Sequence, residues 1–331
     1  MGSDAQLLDA ARRGDEGAFR ELVGPHCRGL VAHCYRMSGS LQEAEDLSQE
    51  ALVRAWRGLG AFEQRSSFRS WLYRIATHAT LDALKRPRLL PIDTHAPADP
   101  SAPLAAPEAL WLEPMPDALL PDERPGAESL LSQRQSVALA FLRALQRLPA
   151  TQRAALLLKD VLGFSAAETA ELLETTVAAT NSLVQRARDT LGEEARPARS
   201  AAEPVDADVV RRYVEAWQSA DVSGLVTLLS DDARLSMPPV PSWYLGRDAV
   251  RAFLGGAVLT ADAVGRFVAV AVRSNGQPAV ALFDRRAPGA AADSPPVLSG
   301  VHVLTVDAGG RVTDIVAFMD PTVLGSFDVR P

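Results

Sequence analysis

Residues 41–86 read LQEAEDLSQEALVRAWRGLGAFEQRSSFRSWLYRIATHATLDALKR. Leu41, Ala44, Leu47, Ala51 and Ala55 recur at steps of three and four, the spacing of a helix with one core-facing stripe. Asp46 and Glu50, four apart with Gln49 beside them, fall on the outward face. By periodicity alone such carboxylates are an ordinary solvated surface. Residues 62–74 are less ordinary, because aromatics there interleave with arginines. Guanidinium groups neutralise backbone phosphates and aromatic faces stack on unpaired bases, and capture of a single strand needs both. Phe68, Trp71 and Leu72 also fit a core, which leaves the loop 63–67, with Arg65 and Ser66, as the better place to hold an extruded base. Arg69, Arg74, Lys85 and Arg86 then read as phosphate contacts.

The run closely resembles region two of the extracytoplasmic-function sigma factors of bacterial RNA polymerase. In that family the matching acidic helix docks on a basic coiled coil of the largest polymerase subunit. The resemblance therefore implies a polymerase contact through Asp46, Gln49 and Glu50, and recognition of the −10 element by Arg65, Ser66, Arg69, Arg74, His78, Lys85 and Arg86. One position departs. The family usually reads Ile-Ala-x-Asn, and here the run is Ile75-Ala76-Thr77-His78. His78 can still donate to a base or phosphate, but the base preference does not carry over directly.

Outward from this run, 331 residues suffice for two or three domains. The net charge of −7 argues against indiscriminate nucleic-acid binding, and its distribution is uneven. Residues 1–90 hold 13 basic against 11 acidic side chains, and 136–199 hold 8 against 7, so a phosphate-binding surface there must be a local patch. Residues 91–135 are acidic, with 2 basic against 8 acidic, as are 200–331, with 11 against 15. Only Lys85 and Lys159 are lysines. Ten of the 23 prolines lie in 87–126, a density that predicts an extended linker. Cys27 and Cys34, seven apart in one helical pattern, read as buried free thiols. No apolar stretch approaches 18 residues and Met1 opens no signal-peptide pattern, which predicts a cytoplasmic protein with no membrane partner.

A second helical segment, 145–191, reads LQRLPATQRAALLLKDVLGFSAAETAELLETTVAATNSLVQRARDTL. Ser165 with Glu168 is a capping box that starts one helix, a turn follows at 174–176, and another helix begins near Val177. This is helix-turn-helix spacing, in which the second helix enters the major groove. Its outward stripe holds Asn181, Ser182, Gln185 and Arg186. Asn and Gln can pair with adenine, and Arg with guanine or phosphate. The run 148–153 and the approach 160–164 resemble sigma region four, which implies −35 recognition by that stripe. Glu174 stands where glycine commonly closes the turn, and Thr180 replaces an inward apolar residue. Both predict a slightly destabilised motif. Regions two and four without an intervening third region mark the extracytoplasmic-function group.

Within the linker lies Trp111-Leu112-Glu113-Pro114. Such a signature is typical of sigma factors with a fused C-terminal SnoaL-like domain, and implies docking of Trp111, Leu112 and Pro114 on that domain. Met115, at a place where an aromatic is frequent, predicts looser docking. From about Asp206 the pattern is two helices and then strands, with turns at Asn275-Gly276 and Gly309-Gly310 and a loop at 238–246. It predicts an α+β cone, helices across a curved antiparallel sheet. Asp232, Tyr244, His302 and Asp320 are the candidates for acid–base chemistry there, and no pair of them forms a recognised catalytic signature. Met237, Trp243, Tyr244 and Phe318 better suit the lining of a pocket or an interface.

The chain is thus expected to be multidomain: an all-α region two over 4–90, an acidic linker over 91–126, an all-α region four over 127–194 and a SnoaL-like domain over 206–331. The expected function is promoter selection with core RNA polymerase, controlled in cis by the C-terminal domain. A ligand-responsive DNA-binding regulator and a cyclase- or isomerase-like enzyme fused to a DNA-binding module are the alternatives. The sequence offers no glycine-rich phosphate loop, metal cluster or nucleophile triad, so no cofactor is expected, and a small-molecule ligand of the C-terminal domain is left open.

Overall fold

The computed structural model describes residues 2–85, 96–107, 112–121, 135–192, 203–286 and 295–331. Of the residues singled out above, Arg86 and Trp111 lie outside these. The chain divides into two compact units, Met1–Arg88 with Ala118–Arg196, and Leu89–Asp117 with Pro197–Pro331. Among the described residues no helix is long and apolar enough to cross a membrane.

The first unit begins with α1 (Gly2–Arg12), α2 (Glu16–Ser38), α3 (Leu41–Gly58) and α4 (Phe68–Ala83). Each of the last three starts on a polar cap: Asp15 accepts from Ala18 N, Ser40 from Glu43 N and Ser67 from Ser70 N. Such caps satisfy amide groups that the first turn leaves open. Helix α2 ends on Gly39 at φ 79°, a left-handed cap suited to glycine. The buried stripe of α3 is Leu41, Ala44, Leu47, Ser48, Ala51 and Ala55, mostly small residues that let α2 approach closely. Leu30, Tyr35 and Met37 of α2 and Leu72 of α4 complete the core. Both cysteines are free. Cys34 is buried, its thiol pushed up to about 11 by burial, whereas Cys27 is only half-buried.

The same unit continues with α5 (Leu139–Gln146), α6 (Ala150–Leu156), α7 (Ala166–Leu172) and α8 (Val177–Leu191). A π turn, Leu157–Val161, extends α6. Arg153 of α6 is buried and donates to the Met37 carbonyl at the end of α2, to Gln146 Oε1 and to the Leu148 carbonyl. Burial lowers this guanidinium to about 10, so it remains charged at neutral pH, and its hydrogen bonds offset part of the desolvation cost.

The second unit contains α9 (Glu203–Gln218), α10 (Val222–Thr227), β1 (Leu229–Met237), β2 (Val240–Leu245), α11 (Arg247–Phe253), β3 (Phe267–Ser274), β4 (Gln277–Asp284), β5 (Val297–Val306), β6 (Val312–Phe318) and α12 (Pro321–Leu324). One sheet runs β2-β1-β6-β5-β4-β3. It departs from the all-antiparallel expectation, because β1 and β6 pair in parallel, with Leu235 opposite Ile315. Alternating hydrophobicity reports that a segment is a strand, not which way its neighbour runs. Residues 238–246, expected as a loop, largely form β2, whose Pro241 is tolerated because β2 is an edge strand. Asp231 and Asp232, expected in a turn, lie inside β1. The β3–β4 hairpin turns on Asn275 (φ 58°) and Gly276 (φ 67°), the paired left-handed residues that a two-residue hairpin requires.

Tyr213, Trp217, Leu225, Tyr244, Phe253, Leu304 and Ile315 belong to the core of this unit. At its centre Tyr213 OH lies 2.8 Å from His302 Nδ1, with the Trp217 ring edge-on to the imidazole at 5.0 Å. Burial holds His302 down at about 3, so the neutral ring accepts from the tyrosine hydroxyl. The unfolded chain takes up this proton below its ordinary value of 6.5, and the native state does so only near 3. Stability from this group is therefore complete above pH 6.5 and falls as the pH drops, by about 2 kcal/mol at pH 5. His33, also held at about 3 by burial, gives the first unit the same sign. Urea denaturation at pH 7 and pH 5 should show this loss, and His302→Gln should remove the part contributed by the second unit.

Linker residues belong to the second unit by their hydrogen bonds. Ala98 N donates to the Trp243 carbonyl (2.7 Å) and Ala105 N to Ser242 Oγ (3.2 Å), both on β2. At the β3–β4 hairpin, Asn275 N donates to the Met115 carbonyl (2.8 Å) and Met115 N to Asn275 Oδ1 (2.9 Å). Asp117 accepts from Gly276 N (2.7 Å) and Arg273 Nε (3.1 Å). Leu112, Pro114 and Met115 are buried, so looser docking at Met115 is not what the structure has.

Candidate nucleic-acid interface

Helix α3 presents Asp46, Gln49 and Glu50 to solvent on one face. Glu50 pairs with Arg54 one turn on, at 2.5 Å. An exposed pair of this kind contributes only about 0.5 kcal/mol and exchanges readily for an outside cation. Val53, 47 % exposed, continues the same stripe. The sequence reading passed over it because a lone surface valine carries no signal by itself.

Beyond α3, Arg65 is exposed and paired with Glu63 at 2.7 Å, and Lys85 is exposed and paired with Asp82 at 2.8 Å. The aromatics of this run pack on one another. Phe62 stacks on Trp71 at 4.8 Å and meets Phe68 edge-on at 5.7 Å. Arg69 and His78 are half-buried and hold partners within the unit. Arg69 Nη2 donates to the Leu162 carbonyl (2.9 Å), and its guanidinium lies 4.3 Å from the centre of the Phe164 ring. His78 Nε2 donates to the Leu172 carbonyl (2.9 Å), and Tyr73 meets Phe164 edge-on at 5.7 Å. A groove of 260 Å³ remains between α4 and α7, lined by Arg65, Ser66, Ser70 and Arg74 on one side and by Glu168 and Glu171 on the other. Carboxylates of α7 therefore share the groove with Arg65 and Arg74, the cations expected to meet a base and phosphate. Contacts more than 90 residues apart leave no trace in local spacing.

The helix-turn-helix is formed by α7 and α8. Both halves of the capping box are present, with Ser165 Oγ accepting from Glu168 N and Glu168 from Ser165 N. The hydrogen bond from Ser165 N, first among the causes, and the Ser165 side chain hold the Glu168 carboxyl below its ordinary range. Asn181, Ser182, Gln185 and Arg186 all stand exposed on α8. Three of them have neighbours: Asn181 Oδ1 accepts from Lys159 Nζ (3.1 Å), Ser182 Oγ donates to the Ala178 carbonyl, and Gln185 Nε2 donates to Asp189 (2.8 Å). Lys159, and Arg188 with its two hydrogen bonds to Asp160, were not singled out from sequence. Glu174 adopts φ 52°, which costs a non-glycine residue about 1–2 kcal/mol. Thr180 is fully buried, and its hydroxyl has no hydrogen-bond partner among the described residues. Such an unmet hydroxyl costs about 1–3 kcal/mol.

In the second unit Met237 and Tyr244 are core residues, with Tyr244 stacked on Phe253 at 4.3 Å. Trp243 is buried beneath the Arg234 guanidinium at 4.5 Å, and Phe318 is buried at the end of β6. The acid–base candidates each serve locally. Asp232 accepts from Ser230 Oγ, Asp320 caps α12, and His302 holds Tyr213.

Known proteins give this geometry a family. Residues 22–89 match Sigma-70 region 2, residues 138–191 match Sigma-70 region 4, and residues 210–315 match the SnoaL-like domain. The ECF RNA polymerase sigma factor SigG of Mycobacterium tuberculosis H37Rv is 41 % identical over 327 residues, covering 96 % of this chain and 84 % of that protein. SigM of the same organism is 35 % identical over 189 residues, covering 57 % and 83 %. The crystal structure of the M. tuberculosis extracytoplasmic function sigma factor SigJ superposes with a TM-score of 0.60 at 21 % identity, covering 94 % of this chain and 99 % of that one, and so shares the fold. The two helical matches and the C-terminal cone define a sigma factor with a SnoaL-like extension. The chain belongs to the extracytoplasmic-function RNA polymerase sigma factors.

Proposed function

We propose that this chain binds core RNA polymerase through the acidic face of α3 and directs it to promoters. In this reading the loop 63–67 and α4, together with Lys85 and Arg86, melt and hold the −10 element, and the outward stripe of α8 reads the −35 element. Region two spans 4–90, the linker 91–126, region four 127–194 and the SnoaL-like domain 206–331. The supporting observation is that Asp46, Gln49 and Glu50 on α3 and Asn181, Ser182, Gln185 and Arg186 on α8 are all exposed in a chain that matches both sigma regions. The protein acts in the cytoplasm, where its polymerase is, and regulates transcription without catalysis of its own.

The conformation described is a closed one. Arg69 and His78 spend their hydrogen bonds on the carbonyls of Leu162 and Leu172, and Glu168 and Glu171 line the groove beside Arg65 and Arg74. Melting of the −10 element requires α7 to leave α4. The SnoaL-like domain governs this in cis because it holds Ala98, Ala105 and Met115, points along the only covalent tether between regions two and four. Docking through Leu112 and Pro114 belongs to the same hold. A tether fixed at several points samples fewer separations than a free chain of equal length. Run-off transcription with core polymerase tests this. Deleting 206–331 should change promoter-dependent yield, and unchanged polymerase affinity and yield would contradict the cis control.

A further inference from the structure

A side chain from outside the recognition helix reaches the stripe proposed to read the −35 element. Lys159 lies in the π turn Leu157–Val161 and reaches Asn181 Oδ1 at 3.1 Å. Its neighbour Asp160 takes two hydrogen bonds from Arg188, at 3.0 and 2.8 Å, seven residues further along α8. The turn is thus fastened to α8 at two points on one side, and the Lys159 ammonium is held beside the face that meets DNA.

An ammonium group donates and cannot accept. It therefore fixes the orientation of the Asn181 amide, with the oxygen turned to Lys159 and the NH₂ turned away. A free asparagine reads adenine by accepting from N6 and donating to N7. Asn181 so oriented turns its donors away from Lys159, and an ammonium beside its oxygen disfavours the approach of a base amino group to the lone pair that remains. Lys159 Nζ and Asn181 Nδ2 together form a two-donor pair, which complements guanine, whose major-groove edge shows two acceptors, O6 and N7. We propose that Lys159 is a specificity-determining positioning residue that converts Asn181 from an adenine reader into part of a guanine reader. This rests on the reading that α8 enters the major groove at the −35 element.

The test is run-off transcription by the full chain with core polymerase on promoters randomised across the −35 element. The wild type should select G·C at the position read by Asn181. Lys159→Met should free the amide and move the preference there from guanine toward adenine by about tenfold, leaving the other positions unchanged. Lys159→Arg keeps the donor and should keep guanine. Asn181→Asp, an acceptor only, should lose guanine and gain cytosine at the same position. Uniform weakening on all sequences by Lys159→Met, with an unchanged preference and a shallower salt dependence, would make Lys159 a plain phosphate contact and overturn the proposal. Absence of any −35 preference in the wild type would instead overturn the major-groove reading beneath it.

Discussion

Replacing both Asp46 and Glu50 by lysine is expected to reduce promoter-directed transcription by about 100-fold or more, with the fold intact. The two carboxylates are exposed on one face of α3, where Glu50 pairs with the surface cation Arg54. Their removal therefore leaves no buried group unpaired, and thermal stability should move by less than about 0.5 kcal/mol. Binding behaves differently. A charge reversal against a basic partner loses an attraction and adds a repulsion, about 2 kcal/mol or more for each close pair. Gln49, between them, loses less when replaced by alanine. Measured by polymerase pull-down and run-off yield on the same preparations, the double variant should fail in both while melting like the wild type. Normal polymerase binding would place the contact elsewhere.

Phe164→Ala is expected to produce a rarer combination, a less stable protein that binds polymerase more tightly. Phe164 is buried between Arg69 and Tyr73 of α4. Truncating a buried phenylalanine costs about 3–5 kcal/mol through lost contacts and the cavity left behind. Much of that loss falls on the contact between α4 and the segment leading into α7, so it weakens the closed state more than the separate regions. Where only a small fraction of molecules is open, apparent affinity is reduced by that fraction, and removing about 3 kcal/mol of closure restores up to about 100-fold. Phe164 is not among the residues assigned to DNA or polymerase, so the gain is not offset by a lost contact. Equal loss of stability and polymerase affinity would mean that the α4–α7 contact supports the active form.

What the sequence revealed and what it hid divide along physical lines. The buried stripe of α3, the capping box at Ser165 and the Asn275-Gly276 hairpin are local rules, each readable within a few residues. The left-handed backbone at Glu174 and the inward hydroxyl of Thr180 were legible for the same reason, since each violates a local rule at a known place in a motif. The parallel pairing of β1 with β6 was not legible, because strands nearly eighty residues apart choose direction by the path of the whole chain. Nor was the occupation of Arg69 and His78 by carbonyls of the segment 162–172. A chemistry-bearing residue looks the same in sequence whether it waits for DNA or is already satisfied. The tryptophan-leucine motif drew attention to the linker, yet the hydrogen bonds described begin at Ala98 and Ala105, in a stretch with no motif to mark it.

The closed arrangement of α4 and α7 is best measured as a distance. Spin labels at Ser66 and Glu171, which line opposite walls of the same groove, report it in a chain whose Cys27 and Cys34 are replaced by serine and alanine. Pulsed dipolar spectroscopy should give one short distance in the free chain and a longer one once core polymerase is bound, with Phe164→Ala already populating the longer distance unbound. The same short distance in the free chain and in the polymerase–promoter complex would contradict closure as the state that promoter opening must undo.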